Sequence, residues 1–172
     1  MAWGPRYVRL ARRLAASALK YVPDCLFITL EPEGEPSSPR DAWARRWRMI
    51  LPLLEEGERI LYIDADAVFR GRPEELRVKG NADFRAVPDG SGPFWRLGVL
   101  EISPTMRAAR SLRRLAERLE AGPFFNDEPI FGEVVQETGA TVEELPRNLN
   151  WCAAWGDRER FGNHLPLIET NV

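Results

Sequence analysis

The spacing of apolar residues along the first part of the chain alternates between helical and extended patterns. Between residues 5 and 20, apolar side chains recur every three or four positions among arginines, which predicts an amphipathic helix. Residues 25–30 form a short apolar run typical of a buried strand. Ser38 and Pro39 indicate the start of a second helix, and residues 60–63 form a second buried strand. This order predicts an α/β fold whose sheet is parallel, with helices on its faces.

The same alternation continues to the C-terminal end of the chain. The predicted elements are strands over 84–87, 97–102 and 141–145, helices beginning at 103–104 and 126–129, and an irregular tail or final strand after residue 150. Glycine and proline are dispersed, and neither a linker nor an internal repeat interrupts the pattern. We therefore expect residues 1–172 to form a single domain.

Composition and charge narrow the class of protein. A chain of 172 residues can bury a proper core. The 24 basic and 26 acidic residues nearly balance, so no overall field favours nucleic acid. Two cysteines, Cys25 and Cys152, are too few for a disulfide framework and favour a reducing cytoplasm. The sequence contains no apolar run long enough to span a membrane, and its arginine-rich start is unlike a signal peptide.

Two aspartates directly follow the buried strand at 60–63. Asp64 and Asp66 are separated by one small residue, and alternate residues of an extended chain point the same way. A carboxylate at the end of a buried strand needs a cation or good hydrogen-bond donors nearby. Two hard oxygen ligands there suit Mg²⁺ or Mn²⁺ carrying a phosphate group. The alternative is a turn in which Asp64 or Asp66 caps a backbone group.

Two acidic residues and one glycine are further candidates for a site. Asp127 and Glu128 lie at a predicted helix N-terminus, where they could bond sugar hydroxyls, take a proton or simply cap the helix. Gly98, inside a predicted strand, would let a ligand or another backbone come close, or would only form a bulge or a packing contact.

Basic and imidazole side chains could complete the site. Arg45, Arg46 and Arg48 lie on the helix before the two aspartates, where a guanidinium could reach a diphosphate or could face solvent. His164 is the only histidine, and a neutral imidazole could complete a metal shell or could be an ordinary residue.

The segments 43–48 and 59–69 together resemble the metal-binding region of GT-A glycosyltransferases, in particular the glycogenin-like and lipopolysaccharide galactosyltransferase group. Tyr7 and Ser17 also fit that family's first helix, and the run 145–150 fits its later part. The family's ordered features correspond here to an arginine among Arg45, Arg46 and Arg48, then Asp64 with Asp66, Gly98, Asp127 with Glu128, and His164.

The resemblance implies a fold and an activity. The expected fold is a single GT-A domain, Rossmann-like, with a mostly parallel sheet and a shortened N-terminus. The expected activity is transfer of a sugar from a nucleotide-diphosphate sugar, a UDP-sugar by preference, to an acceptor hydroxyl that the sequence leaves open. Asp64, Asp66 and His164 would hold Mn²⁺ or Mg²⁺, and an arginine and Gly98 would contact the donor. Asp127 and Glu128 would orient the sugar or deprotonate the acceptor.

The chain also departs from the family. Only four residues precede the first helix, where the family has an apolar strand, and Arg96 and Leu97 replace the family's asparagine before the glycine. Two other classes therefore stay open. One is a non-catalytic module that binds sugar nucleotides. The other is a haloacid-dehalogenase-like phosphatase, in which Asp64 would be the nucleophile.

Overall fold

A computed structural model of the chain describes residues 4–24, 26, 28, 34, 36–76, 80–90, 94–123, 126–152 and 168–170. The helices are α1 (Gly4–Tyr21), α2 (Pro39–Glu55), α3 (Met106–Ala121) and α4 (Glu128–Thr138). The strands are β1 (Ile60–Ile63), β2 (Val68–Phe69), β3 (Phe84–Pro88), β4 (Trp95–Ile102), β5 (Val142–Glu144), β6 (Trp151–Cys152) and β7 (Ile168–Thr170). The predicted α/β class is confirmed.

The helix boundaries follow capping chemistry. Ser38 accepts a hydrogen bond from the Asp41 backbone N–H and caps α2, with Pro39 in the first helical position. Thr105 caps α3 in the same way. Helix α4 ends at Gly139, whose φ of 67° lies in the left-handed region that glycine adopts without strain.

The main sheet corrects one part of the predicted fold. Its strand order is β1-β4-β3-β5, in which β4 runs antiparallel to both β1 and β3, and only β3 and β5 pair in parallel. The prediction of a mostly parallel sheet is therefore wrong for the pairings. Three of the four strands do share one direction, but the opposed strand, β4, lies between two of them. Hydrophobic patterns indicate that a strand is buried without indicating its direction.

A second, smaller sheet consists of β2, β7 and β6 in that order. Strand β2 pairs antiparallel with β7, and β6 pairs parallel with β7. Of the two alternatives for the tail, irregular chain or a final strand, the structure shows strands, β6 and β7. Of the strand predicted at 25–30, the structure describes only Leu26 and Ile28, which are exposed and belong to no strand. Its other residues, and the single-domain prediction for 1–172, are not tested.

Two apolar clusters cover the two faces of the main sheet. One is formed by α2, α3 and α4 packed on alternate residues of the sheet, including Tyr62, Phe84 and Leu100. The other joins Leu14 of α1 and Ile168 of β7 to the opposite face of the sheet. No helix in the described part of the chain is long and apolar enough to cross a membrane.

Candidate functional site

The two aspartates predicted as metal ligands lie where β1 ends. Asp64 donates its backbone N–H to Gly98 O (2.9 Å), and its own carbonyl accepts from Ala67 N (3.0 Å), which closes a turn at Ala65 and Asp66. The chain is therefore not extended here, and the argument that alternation points both carboxylates the same way is wrong. Asp64 and Asp66 are both half-buried, within reach of solvent and of a ligand.

Arg46 links the two predicted acidic sites. From α2 its guanidinium donates to Asp64 Oδ1 (3.3 Å), to the Tyr62 hydroxyl (2.9 Å) and to Asp127 Oδ2. Only 12% of its side chain is exposed. Asp127 Oδ2 also accepts from Trp47 Nε1 at 3.0 Å. A buried cation thus joins the end of β1 to the start of α4.

The two neighbouring arginines on α2 have other partners. Arg45 pairs with Asp41 (2.6 Å), and Arg48 pairs with Glu120 (2.7 Å). Successive residues of an α-helix point about 100° apart, so Arg46 faces a different direction from its neighbour Arg45. Of the three arginines predicted to contact a donor, Arg46 is the one that contacts Asp64 and Asp127.

Two aromatic residues that the sequence did not suggest complete this group. The Arg46 guanidinium lies 4.6 Å from the centre of the Trp47 ring and 5.3 Å from that of Tyr62. The Tyr62 hydroxyl donates to Asp64 Oδ1 at 2.5 Å. Tyr62 precedes Asp64 by two positions, which places both side chains on one face of the strand. The two-residue spacing between Tyr62 and Asp64 is the feature of the sequence from which their contact could have been predicted.

The ionisation of Arg46 and Tyr62 follows from their surroundings. Burial lowers the pKa of Arg46, but the charge of Asp127, with Tyr62 and Asp64, outweighs it and raises the pKa overall. Burial raises the pKa of Tyr62 well above its usual range, although the Arg46 charge opposes this. Arg46 is therefore charged and Tyr62 neutral. Arg46 Nε is buried and has no hydrogen-bond partner.

Asp127 and Glu128 differ in what they contact. Asp127 occupies the N-cap position of α4 but makes no side-chain capping hydrogen bond, so simple capping does not explain it. Glu128 Oε1 accepts from the backbone N–H of Leu97 (3.1 Å). Burial raises the pKa of Glu128 and the Asp127 charge adds to this, while the bond from Leu97 opposes both. A carboxyl with a raised pKa can exchange a proton nearer neutral pH than an ordinary one.

Gly98 is a point of close packing against side chains, one of the alternatives that the sequence left open, and its contact with a donor stays a prediction. A Cβ added there would lie 3.0 Å from Asn150 Oδ1 and 3.3 Å from Asp64 Oδ2. The space is therefore needed by side chains of the site itself. Asn150 ends the run at 145–150 that resembles the family, but its residue type alone gave no reason to place it beside Asp64.

The carboxylates fit a divalent ion only in part. Asp64 Oδ1 is occupied by Tyr62 and Arg46, whereas Asp64 Oδ2 accepts no hydrogen bond, so one hard oxygen is available. Within the ranges that the structure describes, no group of three Asp, Glu, His or Cys side chains is arranged to hold a metal. His164 lies outside those ranges. Asp64 with Asp66 suits an ion that keeps phosphate and water ligands, as Mg²⁺ usually does.

The fold has clear relatives among solved structures. A glycosyltransferase involved in the glycosylation of the major capsid of PBCV-1 superposes with a TM-score of 0.70 at 15% identity, covering 98% of this chain and 90% of that one. The apo form of GlyE from Streptococcus pneumoniae TIGR4 gives 0.69 at 17% identity, covering 99% of this chain and 53% of that one. An active-site mutant of LgtC gives 0.62 at 13% identity, covering 98% and 85%.

These likenesses establish the fold. No protein-family model and no curated protein matches the sequence. At these identities the structural likeness extends to the fold alone, and the predicted GT-A glycosyltransferase fold is confirmed.

Proposed function

We propose that this protein is a glycosyltransferase that moves a sugar from a nucleotide-diphosphate sugar, a UDP-sugar by preference, to an acceptor hydroxyl. The observation that carries the proposal is the position of Arg46, which is buried, charged and shared between Asp64 and Asp127. The shared fold supports glycosyl transfer over the phosphatase alternative.

The chemistry of the transfer requires charge compensation on the donor. Negative charge builds on the diphosphate as its bond to the sugar breaks, and preorganised cations stabilise that charge. Arg46 is held by Asp127 and by two aromatic faces, so it does not have to reorganise when the charge appears.

A divalent ion would add to this compensation. Asp64, through Oδ2, and Asp66 would hold Mn²⁺ or Mg²⁺, with His164 as a third ligand. When bound, the ion supplies Lewis-acid stabilisation of the departing diphosphate.

Glu128 and Asp127 would act on the sugar side of the reaction. Glu128 has a raised pKa, which suits a group that orients the sugar by hydrogen bonds or takes the acceptor's proton. Asp127 binds both Arg46 and Trp47 through Oδ2, so one part that it plays is to hold the arginine. Glu128→Gln should therefore lower turnover more than it weakens UDP binding.

An assay of UDP release tests the proposal. A panel of UDP-sugars is incubated with the protein and Mn²⁺, and we expect release from at least one donor. Arg46→Lys should reduce the rate about 100-fold or more, because an ammonium cannot reproduce the forked contacts of a guanidinium. Arg45→Lys, which changes the neighbouring residue that faces Asp41, is the matched control and should keep the rate. Tight UDP binding without release from any donor would favour the non-catalytic module.

The ligand role of His164 has its own test. A neutral imidazole that binds a metal competes with protons, so Mn²⁺ affinity should fall as the pH drops below about 6. His164→Ala should weaken Mn²⁺ binding to the UDP-bound protein and flatten that pH dependence. Calorimetric titrations at several pH values measure both effects, and identical curves for the two proteins would remove His164 from the ligand set.

A further inference from the structure

Asn150 lies at the back of the site, at the end of the segment that leads into β6. It is 4% exposed, and its Oδ1 and Nδ2 lie 3.0 and 3.3 Å from the point that a Cβ of Gly98 would occupy, where Asp64 Oδ2 also approaches to 3.3 Å. Nothing in the proposed reaction uses this amide. This carboxamide is buried near a carboxylate that is expected to hold an ion.

The backbone of Asn150 is fixed by a second buried cation. Arg96 Nη1 donates to the Asn150 carbonyl (3.3 Å), and Arg96 Nε donates to Asp89 (3.0 Å). Only 7% of the Arg96 side chain is exposed. The Asn150 peptide is thus anchored to β4 two residues from Gly98, so the amide has a defined position over the glycine.

The two oxygens of Asp64 are then constrained in different ways. Oδ1 is tied by hydrogen bonds to Tyr62 and Arg46, on the α2 side of the strand. Oδ2 accepts no hydrogen bond and lies against Gly98, whose Cα side it shares with the Asn150 amide. Rotation of the carboxylate about the Cβ–Cγ bond of Asp64 would move Oδ2 away from Gly98 and would break both hydrogen bonds to Oδ1.

We infer that Asn150 is a positioning residue that keeps Oδ2 of Asp64 in the orientation in which it binds the divalent ion. The inference rests on the proposed metal role of Asp64. Groups that orient a metal ligand without touching the metal typically account for a 10–100-fold effect on metal affinity. Gly98 contributes to the same arrangement, because a Cβ at this position would crowd the amide and the carboxylate, which lie 3.0–3.3 Å from where it would be.

Mn²⁺ titration of the UDP-bound protein, by calorimetry or by the electron paramagnetic resonance of free Mn²⁺, tests the inference. Asn150→Ala should raise the Mn²⁺ dissociation constant about tenfold or more. Gly98→Ala should act in the same direction by a separate route, because the added methyl group would displace the amide or the carboxylate. Melting temperatures in EDTA, measured in parallel, report any effect on the fold itself.

Asn148→Ala is the matched control. Asn148 lies two residues away in the same segment and is half-buried, and its Oδ1 makes no hydrogen bond. The Asn148→Ala variant should bind Mn²⁺ with the affinity of the wild type. A wild-type Mn²⁺ affinity in both Asn150→Ala and Gly98→Ala would overturn the positioning role while leaving the proposed function intact. Absence of Mn²⁺ binding in the wild type would overturn both.

Discussion

Two buried ion clusters lie on opposite faces of the same sheet, and they differ in how completely their charges are paired. The site cluster consists of Arg46, Tyr62, Asp64 and Asp127, on the face covered by α2. The sheet cluster consists of Arg59, Arg85, Glu101 and Glu143. It lies on the other face, because its strand residues alternate with the apolar ones that pack against α2 and α3.

The sheet cluster is closed. Glu101 accepts from Arg59 through one oxygen (2.7 Å) and from Arg85 through the other (2.8 Å), and its side chain is 5% exposed. Arg85 also donates to Glu143 and to the Glu75 carbonyl. Both Glu101 oxygens accept from an arginine, and both arginines have further acceptors within the protein.

The site cluster is open. Asp64 Oδ2 accepts no hydrogen bond, Arg46 Nε has no partner, and the Asp64 side chain is 36% exposed. A buried donor left without a partner costs about 1–3 kcal/mol. The contrast indicates that the sheet cluster holds strands together, and it supports the proposal that the site cluster binds a ligand.

The largest expected effect is a loss of folding stability when the closed sheet cluster is broken. Glu101→Gln leaves Arg59 and Arg85 without their shared countercharge, and breaking a buried pair typically costs about 3–5 kcal/mol. Urea unfolding should show a loss of this size. Glu143→Gln removes the half-exposed partner of the same arginine and should cost less than about 1 kcal/mol. Equal losses in the two variants would mean that burial does not distinguish these carboxylates.

The next largest effect is expected when the open site cluster is changed, because the stabilisation of the protein by UDP and Mn²⁺ should be lost. UDP with Mn²⁺ at about 100 times its dissociation constant should stabilise the wild type by about 2.7 kcal/mol, and UDP in EDTA should not. Asp64→Asn should lose this stabilisation, and so should Asp66→Asn, while both remain folded. Thermal unfolding with and without the ligands measures it. The control is Asp41→Asn, which removes the partner of Arg45 outside the site. A normal ligand response in both aspartate variants would remove them from the metal site.

These two clusters also show what sequence patterns can and cannot predict. The strand at 60–63, the aspartates after it and the helix starting at Glu128 were predictable, because apolar runs and capping residues are local features. The choice of Arg46 over Arg45 and Arg48 was not, because it depends on how α2 is rotated against the sheet.

Residues brought together by topology were the least predictable. Asn150 and Asp64 both lie against Gly98 only because the chain returns to this strand more than fifty residues after the glycine. The position of β4 between β1 and β3, which made the parallel-sheet prediction wrong, is likewise invisible in a local pattern. The turn at Ala65 and Asp66 is a local feature, but the apolar residues on either side of it favoured the prediction of an extended chain.

The smallest effect, and the one that separates the clusters most finely, concerns Glu128 beside the open cluster. Its pKa is raised above the ordinary 4.5, so the folded state holds this proton more tightly than the unfolded state does. Stability from this group is fully present below pH 4.5 and is lost as the pH rises through the folded value. Glu128→Gln keeps an oxygen that can accept from Leu97 and carries no charge. The variant should therefore gain stability relative to the wild type as the pH rises from 4 to 8. Urea unfolding in EDTA at intervals across that range measures the difference, with Glu133→Gln, an exposed site on the same helix, as the control for losing one charge. A difference between Glu128→Gln and wild type that stays constant with pH would mean that burial does not hold this carboxyl in its protonated form. Its proposed part in proton transfer would then rest on geometry alone.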